Sequence, residues 1–195
     1  QVNSNTISFG IAPRINACGR MGYEEEALKL FLTENLVEAS SITEKLNKYN
    51  RERQEIEKNI YDEAIAMIQG ESQDVNSIVL GGDDWHHGVI GIVSSKITEM
   101  YFKPSILICF EGEEGKGSGR SIPGFDLHEA LMKCQDTIEK FGGHSMAVGI
   151  TVKKENFEKF QEEFEEIAKK ANLDKILPII NIDAKISLSN INKEM

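Results

Sequence analysis

Positive charge is scarce in this chain. Its 195 residues carry 22 Lys and Arg against 32 Asp and Glu, a formal net charge of −10 at pH 7. A generic duplex-binding module draws most of its affinity from neutralised phosphates and is basic. Nucleic acid could be held here only by a local positive groove on an acidic body, or with help from another domain. Cysteine is equally sparse. Cys18, Cys109 and Cys134 are odd in number and far apart, which argues against a disulfide scaffold or a zinc knuckle and predicts a reducing compartment. No apolar run approaches the roughly 18 residues of a membrane span. With no signal peptide either, the sequence predicts a cytoplasmic chain without membrane contact. Internal repeats and low-complexity segments are also lacking.

What remains is ordinary globular composition, 40% apolar and 28% charged, enough for one good core and an appendage. Gln1 stands where an initiator methionine would, and the residues up to Gly10 read as the tail of a strand. At the other end, residues 180–188 place apolar side chains at every even position and polar ones at every odd position. That is a strand with one solvated or unpartnered face, and it stops almost at once. Both ends predict a fragment cut from a longer protein.

Between them the pattern changes once. Residues 12–20, with Pro13, Gly19 and two flanking arginines, read as loop or turn. A short helix is expected over 24–33 and a long one over 35–69. The seam of the long helix runs Ala39, Ile42, Leu46, Tyr49, Arg53, Ile56, Ile60, Ala64, Met67 in steps of three and four. At about 50 Å it is longer than a compact domain needs. It is either a solvated helix on one core or a connector between domains, and its length favours the connector. From Ser77 the pattern is α/β: strands at 77–80, 105–110, 116–122 and 146–152, and helices at 88–102, 126–140 and 155–172. Asp126 with Glu129 three residues on has capping-box spacing. The fold class is therefore α/β, a mixed β-sheet with flanking helices, preceded by a long connector helix.

Three segments carry polar chemistry. Phe141-Gly142-Gly143-His144 reads as a flexible elbow that aims an imidazole from in front of a rigid strand. The adjacent glycines favour a functional His144 over a merely structural one. Lys116-Gly117-Ser118-Gly119-Arg120-Ser121 leaves backbone N–H groups uncovered, and on a strand Ser118 and Arg120 point the same way. That pair makes a phosphate or carboxylate pocket; a glycine-rich edge hairpin with a solvated arginine fits the spacing as well. The segment is neither a Walker loop nor a dinucleotide fingerprint nor a nucleophile elbow. Asp83-Asp84-Trp85-His86-His87 invites a metal reading, but no third ligand lies at suitable spacing, so capping of the following helix is favoured. Trp85 is expected in the core rather than stacked on a base, and His128 at the surface. Two-metal hydrolysis needs clustered carboxylates or imidazoles, and the sequence shows no such cluster.

Taken in order, Ala12 to Arg20, Trp85-His86-x-Gly88-Val89-x-Gly91-Ile92-Val93, Lys116 to Ser121, and Phe141 to His144 followed by Ala147 and Gly149 resemble the RecJ family. Its members are single-strand-specific 5′-to-3′ DNA exonucleases of bacteria within the DHH phosphoesterase superfamily. The glycine-glycine-histidine segment alone would indicate only the superfamily. The resemblance implies that residues 1–22 end an upstream domain or loop and that 23–70 are connector helices. It makes 75–173 the DHH-associated α/β domain and 174–195 the start of an OB-fold region. It further implies an absent upstream DHH catalytic domain that binds two Mn²⁺ or Mg²⁺ ions, no metal or cofactor in this fragment, and an isolated fragment without activity. The implied partners are single-stranded DNA, the upstream DHH domain and downstream OB-fold of the same chain, and a single-strand-binding protein. The implied role is DNA degradation in recombination and repair. By motif position, Arg20, Ser118 and Arg120 correspond to a 5′-phosphate pocket, with Arg14 as a helper and Gly142 and Gly143 beside them. His144 is the residue that reaches back to the scissile phosphate. Val148 departs from the alanine more usual there. The alternatives are a superfamily phosphodiesterase acting on short oligonucleotides or cyclic dinucleotides, and a non-catalytic nucleic-acid-binding module.

Overall fold

The computed structural model describes residues 2–70, 75–173, 176, 178–179 and 182–187. The first helices form where the sequence suggested strand and loop. Asn3 Oδ1 accepts from the Thr6 N–H at 2.9 Å and from the Thr6 hydroxyl at 3.0 Å, which starts a helix at once. Ile7, Phe9 and Ile11 alternate as in a strand, yet they stand largely exposed on helical turns. A wide π turn over Thr6–Ile11 leads into helix α1, Ala12–Met21. Pro13 has no N–H and crowds the carbonyl four residues back, and the widened turn lies immediately before it. The Ala12-to-Arg20 stretch is thus helix, not loop. Its small residues Ala17 and Cys18 are buried in packing rather than exposed in a turn. Gly22 ends α1 at φ 78°, its N–H returning to the Cys18 carbonyl.

Helix α2 spans Glu24–Leu32 and α3 spans Leu36–Gly70, 35 residues. Helix α3 carries two separate apolar clusters. Ile42 and Leu46 pack with Cys18 and Ala27 of α1 and α2. Ile60 and Ala64 pack further along against strand β1, Ile78–Gly82, and helix α4, His87–Tyr101. Between them lies a polar node. Arg53 bonds Glu57 and Asn50, and Lys96 of α4 reaches Glu57. A buried carboxylate here is matched by two cations, the condition under which such burial is tolerated.

The sheet is completed by β2 (Ser105–Glu111), β3 (Glu114–Arg120), β4 (Lys140–His144) and β5 (Ala147–Lys153), in the order β1-β2-β3-β5-β4. Only β1 and β2 are parallel, joined through α4; the other neighbours are antiparallel. Alternation along the strands sorts the residues onto two faces. Val79, Ile106, Ile108, Phe110, Val148, Ile150 and Val152 meet helices α5, Leu127–Lys133, and α6, Phe157–Lys170, through Leu131, Phe160 and Phe164. Leu80, Leu107 and Cys109 meet α4. Buried hydroxyls fix α4 on β2: Ser94 and Ser105 lie 2.9 Å apart, and Thr98 and Ser105 2.7 Å apart. The cysteines are packing residues, and burial pushes the Cys134 thiol up to about 12.

Helix α5 begins where expected, with Asp126 accepting from the Glu129 N–H at 3.0 Å, but it stops at Lys133 instead of running to 140. Thr137 bonds the Cys134 carbonyl and Glu163. Glu139 then donates its N–H to the Thr151 carbonyl at 2.8 Å, bringing the chain into the sheet. Phe141 to His144 is therefore edge strand rather than a free elbow. Residues 182–187 form no strand, and Ile182 and Ile186 stand exposed. Apolar alternation makes a strand only where a neighbouring strand completes the ladder. Ile180 and Leu188 lie outside the described residues.

Phe164 is fully buried and meets Phe125 edge to face at 6.0 Å. Phe164→Ala is expected to cost about 3–5 kcal/mol in urea unfolding. A loss below about 1 kcal/mol would mean that α6 is not part of the core.

Candidate nucleic-acid interface

Helix α4 packs on β2 and β3, α3 meets β1, and among the described residues no helix packs on this face of β5 and β4. The residues at that boundary are those of the Lys116-to-Ser121 segment. Ser118 and Arg120 do point the same way, towards α4, and Arg120 Nη1 donates to Ser118 Oγ at 3.0 Å and to the Gly119 carbonyl at 2.7 Å. A Cβ on Gly91 would lie 2.9 Å from Ser118 Oγ and 3.2 Å from Arg120 Nη2. The helix therefore approaches β3 this closely only because Gly91 has no side chain.

One turn earlier, α4 meets the end of α1. A Cβ on Gly88 would fall 2.2 Å from the Arg20 carbonyl oxygen, and Arg20 Nη1 donates to the Gly88 carbonyl at 3.1 Å. The start of α4 thus gathers Arg20, Ser118 and Arg120 from segments about 100 residues apart. Burial pushes the Arg120 guanidinium below its ordinary value, and the neighbouring Arg20 charge adds to the effect. Two guanidiniums held close together, with no carboxylate among the described residues bonded to either, form a place that an anion would relieve.

The register extends this site across the sheet. Arg120 stands opposite Ala147, which stands opposite His144; Ser118 stands opposite Gly149, which stands opposite Gly142. Residues in one row share a face, so His144 lies on the same face as Arg120, two strand spacings or about 10 Å away. Between them Gly149 and Gly142 are exposed, with open space above Gly142. The result is a shallow floor without side chains, a guanidinium pair at one side and an imidazole at the other. The turn after His144 is fixed by the Leu127 N–H to the Ser145 carbonyl at 2.9 Å and the Ser121 N–H to the Met146 carbonyl at 3.0 Å.

Not every predicted residue joins this face. Arg14 points to α3, bonded to Asn47 and to the Gly10 carbonyl. Gly143 serves the backbone: at φ 138° its missing Cβ would meet the Ala147 carbonyl at 2.3 Å. Val148, the residue unlike the family pattern, packs in the core on the opposite face. Trp85 is buried with its Nε1 donating to Glu63 at 2.9 Å, so it is core. His128 is half-buried against the Phe141 ring rather than free at the surface. His86 Nδ1 accepts from the Gly88 N–H at 3.1 Å, and burial first, then His87, holds its pKa below the ordinary value. Asp83 pairs with Lys154. The Asp83-to-His87 stretch is accordingly a helix cap. Among the described residues no three His, Cys, Asp or Glu side chains stand together in a group that could hold a metal ion. Gly91 and Gly149 belong to the sequence motifs that carry the resemblance, but the sequence assigned neither a place in the site. The signal available was the spacing Gly88-x-x-Gly91 at a helix start.

The DHHA1 domain family model matches residues 58–170. The chain is 35% identical over 197 residues to the single-stranded-DNA-specific exonuclease RecJ of Bacillus subtilis (strain 168), covering 100% of this chain and 25% of that protein. Two crystal structures have similar folds. RecJ of Thermus thermophilus in complex with Mg²⁺ has a TM-score of 0.78 at 34% identity, over 85% of this chain and 26% of that one. An exonuclease RecJ bound to manganese has a TM-score of 0.78 at 33% identity, over 86% and 42% respectively. The chain spans about a quarter of the length of the B. subtilis relative.

Gly88→Ala should force α1 and α4 apart, because the obstacle is backbone and cannot rotate away. Amide hydrogen exchange is expected to speed up over Arg20–Tyr23 while the sheet stays protected. Unchanged exchange at the end of α1 would show that it is not seated on α4.

Proposed function

Because the chain belongs to the DHHA1 domain family, we propose that it forms the strand-gripping wall of a metal-dependent 5′-to-3′ exonuclease that degrades single-stranded DNA in recombination and repair. The observation that carries this reading is the row geometry. Arg20, Ser118 and Arg120 meet at one side of an open glycine floor, and His144 faces the same floor from the other. A terminal 5′-phosphate fits the side with two guanidiniums and a hydroxyl. Its dianionic charge exceeds that of an internal phosphodiester, and Arg forks match its oxygens. The next phosphate along the strand then reaches the His144 side.

The hydrolytic water would be activated by divalent ions on a separate DHH catalytic domain of the same protein, and relatives are recorded in complex with Mg²⁺ and bound to manganese. What this chain's own residues contribute is binding and orientation. Arg20, Ser118 and Arg120 hold the end, Gly142 and Gly149 leave room for the backbone to lie flat, and His144 donates a hydrogen bond to a non-bridging oxygen as charge builds there. The bare floor between the two sides suits a single strand better than a duplex, whose second strand would stand off the face.

In the intact protein, Arg120→Ala should weaken binding of a 5′-phosphorylated strand by roughly 1.5–3 kcal/mol, the range for a bond to a charged group, and leave an unphosphorylated strand much less affected. Equal losses for both ends would remove the pocket assignment. His144→Ala should lower kcat more than it raises KM, the signature of an interaction made in the transition state. An unchanged kcat in steady-state assays would take His144 out of the site.

A further inference from the structure

The rows of the open face continue beyond the glycine floor. Lys116, Thr151 and Lys140 stand opposite one another across β3, β5 and β4. Each lies two residues along its strand from Ser118, Gly149 and Gly142, so the row shares their face and is about 7 Å further on. Lys116 and Lys140 are exposed and Thr151 is half-buried between them. The next position on this face of β5 is Lys153, opposite Glu114. The carboxylates on or beside this face are the exposed Glu114, two residues from Lys116 on β3, Glu111, 3.7 Å from Lys116 and 3.8 Å from His87, and Glu139, 3.7 Å from Lys153. These pairs are roughly half exposed on both sides, so they are weak, screened by salt and easily exchanged for a phosphate.

We propose that the Lys116–Thr151–Lys140 row is a second anion station, taking an internal phosphodiester of the single strand whose 5′-phosphate sits between Arg20, Ser118 and Arg120. This rests on the function proposed above and adds a path for the strand. The two stations differ in kind. The first is built of guanidinium forks held by hydrogen bonds and by close contact with α4, which suits a fixed end. The second offers ammonium groups on flexible stems, with a hydroxyl between them, which suits a backbone that must shift after each nucleotide is removed. The glycine floor between them places no side chain in the way. On a protein of net charge −10, a strand is repelled by most of the surface, and a local cationic strip decides where it runs.

The test uses the intact protein in EDTA, so that nothing is cleaved, with the Lys116→Gln/Lys140→Gln double variant. The probes are thymidine 5′-phosphate by competition, and a long 5′-phosphorylated oligothymidylate by fluorescence anisotropy. The expected result is a few-fold loss of affinity for the long strand and a salt dependence shallower by about 0.7, since the one phosphate of a single strand left unneutralised lowers the slope by about that much. The mononucleotide should bind as before, the preference for a phosphorylated end should remain, and Lys116→Arg/Lys140→Arg should restore the slope. An unchanged slope overturns the proposal. So does an equal loss for mononucleotide and long strand, which would assign the lysines to the end pocket. Failure of the underlying reading looks different: the unsubstituted protein would then show no preference for a phosphorylated end.

Discussion

The first two turns of helix α4 are pressed against backbone and polar side chains on two sides, and the site depends on that contact. On one side the α-carbon of Gly88 faces the last carbonyls of α1; on the other the α-carbon of Gly91 faces Ser118 and Arg120. Neither gap would admit a methyl group without something moving. The stretch from Gly88 to Gly91 acts as a spacer that sets how far apart two arginines from distant parts of the chain can stand. The buried hydroxyls of Ser94, Thr98 and Ser105 hold the same helix against β2, so its position is fixed along its length as well as at its tip.

Helix α3 carries this constraint outward. One of its apolar clusters holds α1 and α2, the other holds α4 and β1. Arg20 comes from the first group and Arg120 from the sheet beyond the second, so their relative position is transmitted through the helix between. The node of Asn50, Arg53, Glu57 and Lys96 sits where the two clusters meet. Slipping α3 by a turn would part the buried Glu57 carboxylate from Lys96 of α4, leaving it only Arg53, which lies on α3 and moves with it. A polar contact in the middle of an apolar seam thereby fixes the register of the lever, much as a buried polar residue fixes the register of a coiled coil.

The electrostatics follow a similar logic. On this acidic protein the sheet gathers several cations on one face. It does so by alternation: β3 puts Gly115, Gly117 and Gly119 and β5 puts Val148, Ile150 and Val152 towards α5 and α6, while Lys116, Ser118 and Arg120 lie on the other face with Gly149. The edge position of β4 leaves His144 open to solvent, while the neighbouring turn is tied down by backbone bonds.

Much of this was legible in the residues. The change from helical to α/β pattern, the capped start of α5, the length of α3, the core position of Trp85 and the shared face of Ser118 and Arg120 all follow from local periodicity and capping chemistry, which act within a few residues. The misread segments were those where a local signal was overruled at a distance. Residues 12–20 look like a turn because Pro13 and Gly19 disfavour helix, but the burial of Ala17 and the packing of Cys18 against Ile42 and Leu46 of α3 outweigh them. Residues 126–140 look like one helix until the Glu139 N–H finds a carbonyl on β5. The chemistry of each side chain, its charge and its hydrogen-bonding capacity, was determined by sequence alone. Whether Arg20, Ser118, Arg120 and His144 would share one face was decided only in three dimensions. It depends on strand order, register and the closeness of α4, and these arise from packing between residues that no local pattern connects.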